Sequence, residues 1–257
     1  MAIIKSECDL ILERYRRRDP VAESKRYSYF DRTWLLFVQE RHRVALEFIS
    51  SAAMGAAEDL RVLDVGCGDG PDILMLLAAG FRPENLVGID LREEMLSRAR
   101  ARLPTAVRLH KGDAASLLSG EAPSFDIVMH WAVFSSLLDD GFQENLAARM
   151  WSVVKPGGAV LWYDFVYNNP KNQDVRGVPL RRVRQLFPEG SIKVRHLTLA
   201  PPIARFVTKI HANLYWFLNA IPFLRTHILC WITKPLRAPA VTDRASNPTG
   251  HIVGRHS

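Results

Sequence analysis

Between residues 62 and 70 the chain reads VLDVGCGDG. Glycines stand at alternate positions, Gly66, Gly68 and Gly70, and Asp64 sits two residues before the first of them. Glycine permits positive φ and lets a ligand lie against bare backbone. A strand that runs through such a loop into a helix can receive a ligand beyond its carboxyl end. Spacing separates two ligand classes. The dinucleotide fingerprint G-x-G-x-x-G needs a third glycine three residues after the second, and here that position is Pro71. The acids Asp64 and Asp69 repel a pyrophosphate and suit a ligand bearing positive charge or an amino group. Further carboxylates fall near later strand ends: Asp90 in NLVGID, Asp113 in KGDAAS and Asp164 in AVLWYDF. Such a carboxylate can accept two adjacent hydroxyls or cap the helix that follows. His130, in FDIVMHW, is available in neutral form near pH 7 to take a proton.

The elements that must position these groups alternate. Val62–Val65, Asn85–Asp90, Ala106–His110, Phe125–Met129 and Ala159–Phe165 read as strands. Helical patterns lie between them at Pro71–Ala79, Glu93–Leu103, Ala114–Leu118 and Gln143–Val154, the last stopped by KPGG. Strands alternating with helices at this spacing predict an α/β fold with a doubly wound, mostly parallel sheet. Two late strand candidates follow, Ser191–Thr198 and His227–Thr233. Between them, residues 201–225 are apolar and aromatic at helical spacing and predict a helical insertion before the last strand. Residues 1–50, above all Asp31–Ser50, predict a helical cap on the sheet or ligand. The predicted organisation is a cap over 1–50, one domain over 51–235, and a disordered tail over 236–257 rich in Pro, Ser, Asn and His.

Hydrophobic residues make up 48% of the 257, enough for a sizeable core. Cys8, Cys67 and Cys230 show no metal-ligand spacing, so no metal site is expected and a reduced, cytoplasmic setting is. The N-terminus is too charged for a signal peptide, and no run is long and apolar enough to span a bilayer. The net charge of +7 is unevenly spread: residues 1–50 carry +2, residues 51–169 carry −6 and residues 170–257 carry +11. The basic last third suits an acidic substrate, a nucleic acid or an anionic membrane surface, or is a solvated face.

Asp64-x-Gly66-x-Gly68-x-Gly70 resembles motif I of the class I S-adenosylmethionine-dependent methyltransferases. The likeness continues through Gly88–Asp90, Gly112-Asp113-Ala114, Phe125–Phe134 and Val153–Phe165. It implies a seven-stranded sheet whose sixth and seventh strands run antiparallel. It also implies S-adenosyl-L-methionine as cofactor. Asp64 would contact the amino group or fix the loop, Asp90 would meet the ribose, Leu91 next to it would also contact the cofactor, and Asp113 would lie beside the adenine. Ala114 and Met129 would be apolar neighbours of the adenine.

The implied chemistry is in-line displacement at a sulfonium methyl, with the protein aligning donor and acceptor. His130 is the candidate general base, and Trp131 and Asp164 are candidates for lining the acceptor site. Residues 167–190 carry Asn168, Asn169, Arg176, Arg181, Arg182 and Arg184, a set that could hold sugar hydroxyls or an anion. His130-Trp131-Ala132-Val133 stands where the family's nucleic-acid N-methyltransferases carry Asn/Asp-Pro-Pro-aromatic, which argues against a nucleic-acid substrate. The expectation is O-methylation of a small molecule or glycan. Alternatives are a lipid-linked or quinone-type acceptor reached at a membrane surface, a non-catalytic S-adenosylmethionine-binding protein, or a dinucleotide oxidoreductase.

Overall fold

The computed structural model describes residues 6–17, 25, 27–170 and 172–236. Seven strands make one sheet: β1 (Val62–Val65), β2 (Leu86–Asp90), β3 (Arg108–Lys111), β4 (Phe125–Trp131), β5 (Val154–Phe165), β6 (Ser191–Leu199) and β7 (Arg225–Thr233). Their order is β3-β2-β1-β4-β5-β7-β6. The first five pair in parallel. β7 runs antiparallel to both β5 and β6, so β6 shares the direction of β1–β5 and β7 alone is reversed. The expectation of two reversed strands is corrected. A crossover delivers β6 beyond the gap beside β5, and β7 returns to fill that gap. The expected tail over 236–257 lies, beyond Leu236, outside the described residues.

Helices cover both faces because the buried strands present apolar side chains on both. On one face Leu63, Val65, Val128, Val160 and Trp162 pack against α5 (Ala114–Leu117), α6 (Asp140–Val153) and α7 (Leu180–Leu186). The N-terminal helix α1 (Glu7–Arg16) joins this face through Ile11. On the other face Val62, Ile127, Met129, Leu161 and Trp231 meet α2 (Arg32–Ser51), α3 (Pro71–Ala78) and α4 (Glu93–Arg102). The expected stop at KPGG is sharper in the fold. α6 ends at Val153, and β5 begins at Val154, ahead of the predicted start at Ala159, and runs through Lys155-Pro156-Gly157-Gly158. Gly158 admits no side chain there, since a Cβ would stand 2.7 Å from the Asp126 carbonyl.

The stretch between β6 and β7 forms two helices, α8 (Pro201–Ile210) and α9 (Ala212–Asn219). They are pinned to α2 by a buried carboxylate. Glu40 accepts from the Tyr215 hydroxyl at 2.6 Å, the Asn219 amide at 2.6 Å and the Thr198 backbone N–H at 3.1 Å. Removing the carboxylate leaves three buried donors without an acceptor. Glu40→Ala is therefore expected to lower unfolding stability by about 3 kcal/mol, read as a lower urea midpoint. Glu40→Gln is expected to lose less, because it keeps the packing and one acceptor oxygen.

Candidate functional site

A cleft opens at the carboxyl ends of the strands, where strand order reverses between β1 and β4, the place an open α/β sheet receives ligands. It is open to solvent at its mouth, and the space within and at the mouth amounts to about 790 Å³. The turns after four strands furnish its floor: Gly66, then Asp90-Leu91-Arg92, then Gly112-Asp113-Ala114, then Trp131-Ala132-Val133. Ile11 and Tyr15 of α1 lie across it, with Phe142 and Leu146 of α6 at the side.

α1 is built to hold that position. Ser6 and Asp9 form a reciprocal cap at its start. Glu7 accepts from Arg14 at 2.7 Å and from the Leu138 N–H at 3.0 Å, and Arg14 donates to the Ser136 carbonyl at 2.9 Å. The Arg92 guanidinium lies 4.2 Å over the Tyr15 ring, joining the roof to the β2 turn.

The glycine loop divides its labour. Gly66 (φ +75°) reaches the cleft and packs so closely that a Cβ would collide with a Val133 methyl group. Gly68 (φ +55°) does not line the cleft. Its N–H donates to Asp90 Oδ2 at 2.9 Å, and nothing lies within 4 Å of where a Cβ would be. Gly70 (φ +82°) is the N-cap of α3 and also stands off the cleft. Asp69 turns outward to Arg102.

Asp90 is buried at the cleft floor, with Oδ1 accepting from the Arg92 N–H at 2.8 Å. Each oxygen keeps a further lone pair for a ligand hydroxyl. Asp113 caps α5, accepting from the Ala115 N–H at 2.9 Å and the Ser116 hydroxyl at 2.8 Å, and still lines the cleft. Asp64 lies beneath the loop, almost wholly buried, and neither of its oxygens has a hydrogen-bond partner among the described residues. Burial pushes its pKa well above the ordinary carboxylate value; Asp72 and Asp90 push the same way, and Arg41 opposes them. Asp64 does not border the cleft, but an unpaired carboxylate buried behind an acid-floored cleft suits a ligand that carries an amino group and hydroxyls, as S-adenosylmethionine does. It does not fit a pyrophosphate.

Other expected site residues stand apart from the cleft. His130 points from β4 into the core, fully buried, its ring edge-on to Trp162 at 4.2 Å and beside Phe134 at 4.8 Å. Burial pushes its pKa down to about 3, and no acceptor can reach it. The strand pleat is the reason: His130 and Trp131 face opposite sides of the sheet. Met129 is also fully buried, on the Trp131 side, and does not border the cleft. Asp164 is fully buried, with a pKa pushed up to about 7 by burial. It accepts the Ser135 N–H at 2.9 Å and its neighbour Phe165 N–H at 2.9 Å, which fixes the turn after β4. Arg176 pairs with Asp140, Asn168 accepts the Gly177 N–H, and Arg182 holds Glu144, so much of the expected sugar-binding set is spent on the protein. Arg181 is exposed on α7. Among the described residues no three His, Cys, Asp or Glu gather as a metal site.

His130→Leu is expected to raise stability by about 1 kcal/mol, since it removes two unpartnered ring nitrogens. The gain grows on acidification. The buried imidazole resists protonation until about pH 3, whereas the unfolded ring charges below about pH 6.5. The native histidine therefore costs stability progressively between those values. Thermal melts at pH 7 and pH 5 check this, with ligand affinity unchanged.

Sequence reasoning missed Tyr15, Arg92, Phe142 and Arg41. Arg92 adjoins Gly88-Ile89-Asp90 and could have been read as part of that turn. The Ser6–Asp9 capping box marked where the roof helix begins but not where it packs.

Residues 62–158 match the profile of a family described as a methyltransferase domain. Over 128 residues, 48% of this chain and 45% of the relative, the chain is 34% identical to trans-aconitate 2-methyltransferase of Paracidovorax citrulli. It is 31% identical over 157 residues to ubiquinone biosynthesis O-methyltransferase of Hahella chejuensis, covering 60% of this chain and 62% of the relative. The chain thus spans about half the length of the curated relatives it matches. In fold it is similar to a SAM-dependent methyltransferase from Archaeoglobus fulgidus, with a TM-score of 0.58, 16% identity, and coverage of 77% of this chain and 93% of that one. Residues 62–158 are thus similar to a methyltransferase domain, and the chain has the fold of the S-adenosylmethionine-dependent methyltransferases it resembles.

Proposed function

We propose that this chain is an S-adenosylmethionine-dependent methyltransferase acting on an oxygen of a small acceptor. The observation that carries the reading is Asp64, buried without a partner beneath a glycine loop whose cleft is floored by Asp90 and Asp113. S-adenosylmethionine supplies, when bound, a sulfonium methyl open to in-line displacement. The chain's part is alignment and exclusion of water. Asp90 would take ribose hydroxyls on the lone pairs left after its bonds to Gly68 and Arg92. Leu91 and Ala114 would flank the base, with Asp113 at its edge, and Asp64 would balance the ammonium. Tyr15 and Ile11 would close the cleft. The division into a cap over 1–50 and a methyltransferase domain over 51–235, with its insertion at 201–225, belongs to the same proposal.

Trp131 marks the acceptor side. Beyond it Arg41 lies 4.9 Å over the indole ring, its Nη2 held by Asp72 at 2.9 Å and its Nε without a partner among the described residues. His130 and Asp164 sit in the core, where neither can take an acceptor's proton. Both facts favour an acceptor oxygen already ionised at neutral pH, which needs no general base. Relatives named for trans-aconitate and for ubiquinone biosynthesis are consistent with methyl transfer to a small molecule. The glycan acceptor loses part of its support with Arg176, Arg182 and Asn168 engaged elsewhere on the protein. A lipid-borne, quinone-type acceptor stays as a second reading, favoured by the exposed apolar face of α8 and α9.

The test is release of S-adenosylhomocysteine across a panel of organic acids, acidic phenols, and neutral sugars. Turnover with acids or phenols is expected. Turnover confined to neutral sugars would overturn the ionised-acceptor reading, and cofactor binding without turnover on any extract fraction would favour a non-catalytic binder.

A further inference from the structure

We propose that the outer face of α8 and α9 is a docking surface for an anionic phospholipid bilayer. The inference stands independently of the methyl-transfer reading. Both helices pack their inner sides on β6 and α2, with Ala204, Val207, Tyr215 and Asn219 buried there. Their outer sides carry side chains that a water-facing helix does not favour. Phe206 is 68% exposed, Phe217 71% and, on the turn that follows, Phe223 79%. Ile210 and Trp216 are exposed beside them. Scattered apolar residues on a surface are ordinary, but five large exposed ones on two successive helices and the turn after them suit a binding face.

Charge identifies the occupant. On α8 the helical period sets Arg205 and Lys209 in one exposed row and Phe206 and Ile210 in the row beside it. From Gly190 to Thr242 the chain has no aspartate or glutamate. β6 adds exposed Lys193 and Arg195, on the sheet face that buries Leu197, the face α2 covers. Aromatic and aliphatic side chains beside cations, on helices that carry no acid of their own, are the pattern of a helix lying in a lipid headgroup layer. A second copy fits poorly, because self-pairing would set Arg205 and Lys209 against like charges. No described helix is long and apolar enough to cross the bilayer, so the contact is with its surface.

The experiment is co-sedimentation of the full chain with phosphatidylcholine vesicles, with and without phosphatidylglycerol, at low and high salt. Two double variants accompany it, Phe206→Ser with Phe217→Ser and Arg205→Glu with Lys209→Glu. All four side chains are exposed, so thermal melts and adenosyl-ligand affinity are expected to stay unchanged in both. Binding that requires phosphatidylglycerol, weakens with salt and falls about tenfold or more in each double variant is the expected result. Absence of binding to anionic vesicles overturns the proposal, as does equal binding by the charge-reversed variant. A concentration-dependent dimer that the Phe206/Phe217 variant abolishes also overturns it, since the face would then belong to a second copy.

Discussion

Asp90→Ala is expected to weaken binding of S-adenosylhomocysteine by about a hundredfold or more. The carboxylate holds two backbone donors, Gly68 N–H at 2.9 Å and Arg92 N–H at 2.8 Å, and so ties the glycine loop to the β2 turn. A hydrogen bond to a charged group contributes about 1.5–3 kcal/mol. Losing both loosens two walls of the cleft, and losing the acceptor for ligand hydroxyls adds to that. Titration calorimetry reads the affinity, and a thermal melt separates it from unfolding. Asp90→Asn should fall between the two, because one oxygen remains. A loss smaller than tenfold in Asp90→Ala would remove Asp90 from the account.

Asp64→Asn should separate stability from affinity. Asp64 is buried, unpartnered and pushed strongly toward its protonated form by burial and by its neighbours Asp72 and Asp90. An acid whose folded pKa is raised favours the native state below its unfolded pKa, near 3.9, and that advantage is lost as pH rises through the folded value. At neutral pH the ligand-free protein is therefore destabilised by this group. An amide at the same place is expected to raise ligand-free stability by about 1–3 kcal/mol. It is also expected to cut adenosyl-ligand affinity by about tenfold or more, because the charge that balances the ligand's ammonium is gone. The wild type should release a proton on binding at neutral pH, seen as a buffer-dependent binding enthalpy that the variant lacks. A parallel fall in stability and affinity would mean that Asp64 serves the loop alone.

The fold was legible because its signals are local and repeated. Apolar runs at Val62–Val65 and Phe125–Trp131, each followed by a turn and a helical pattern, leave little choice of topology. The direction of β6 was not legible, since a strand's pattern carries its period and not its heading. Of the residues expected to bind cofactor, Gly66, Asp90, Leu91, Asp113 and Ala114 follow strand ends and border the cleft. His130, Met129 and Asp164 were misplaced for one shared reason. Position along a strand locates a residue near the cleft, whereas the pleat and the local packing decide whether it faces the cleft or the core. His130 and Asp164 turn to the Trp162 side, and Met129 turns to the Trp131 side but stays beneath it. Tyr15 and Arg41 were beyond reach because they meet the site only through tertiary packing, from helices far away in sequence.

The most direct test of the central claim is calorimetric titration of the wild-type protein with S-adenosylmethionine, S-adenosylhomocysteine and NADH under identical conditions. The account predicts saturable binding of both adenosyl ligands and none of NADH. Binding of NADH alone would contradict it, and would mean that the loop at Gly66–Gly70 cradles a pyrophosphate despite Asp64 and Asp90.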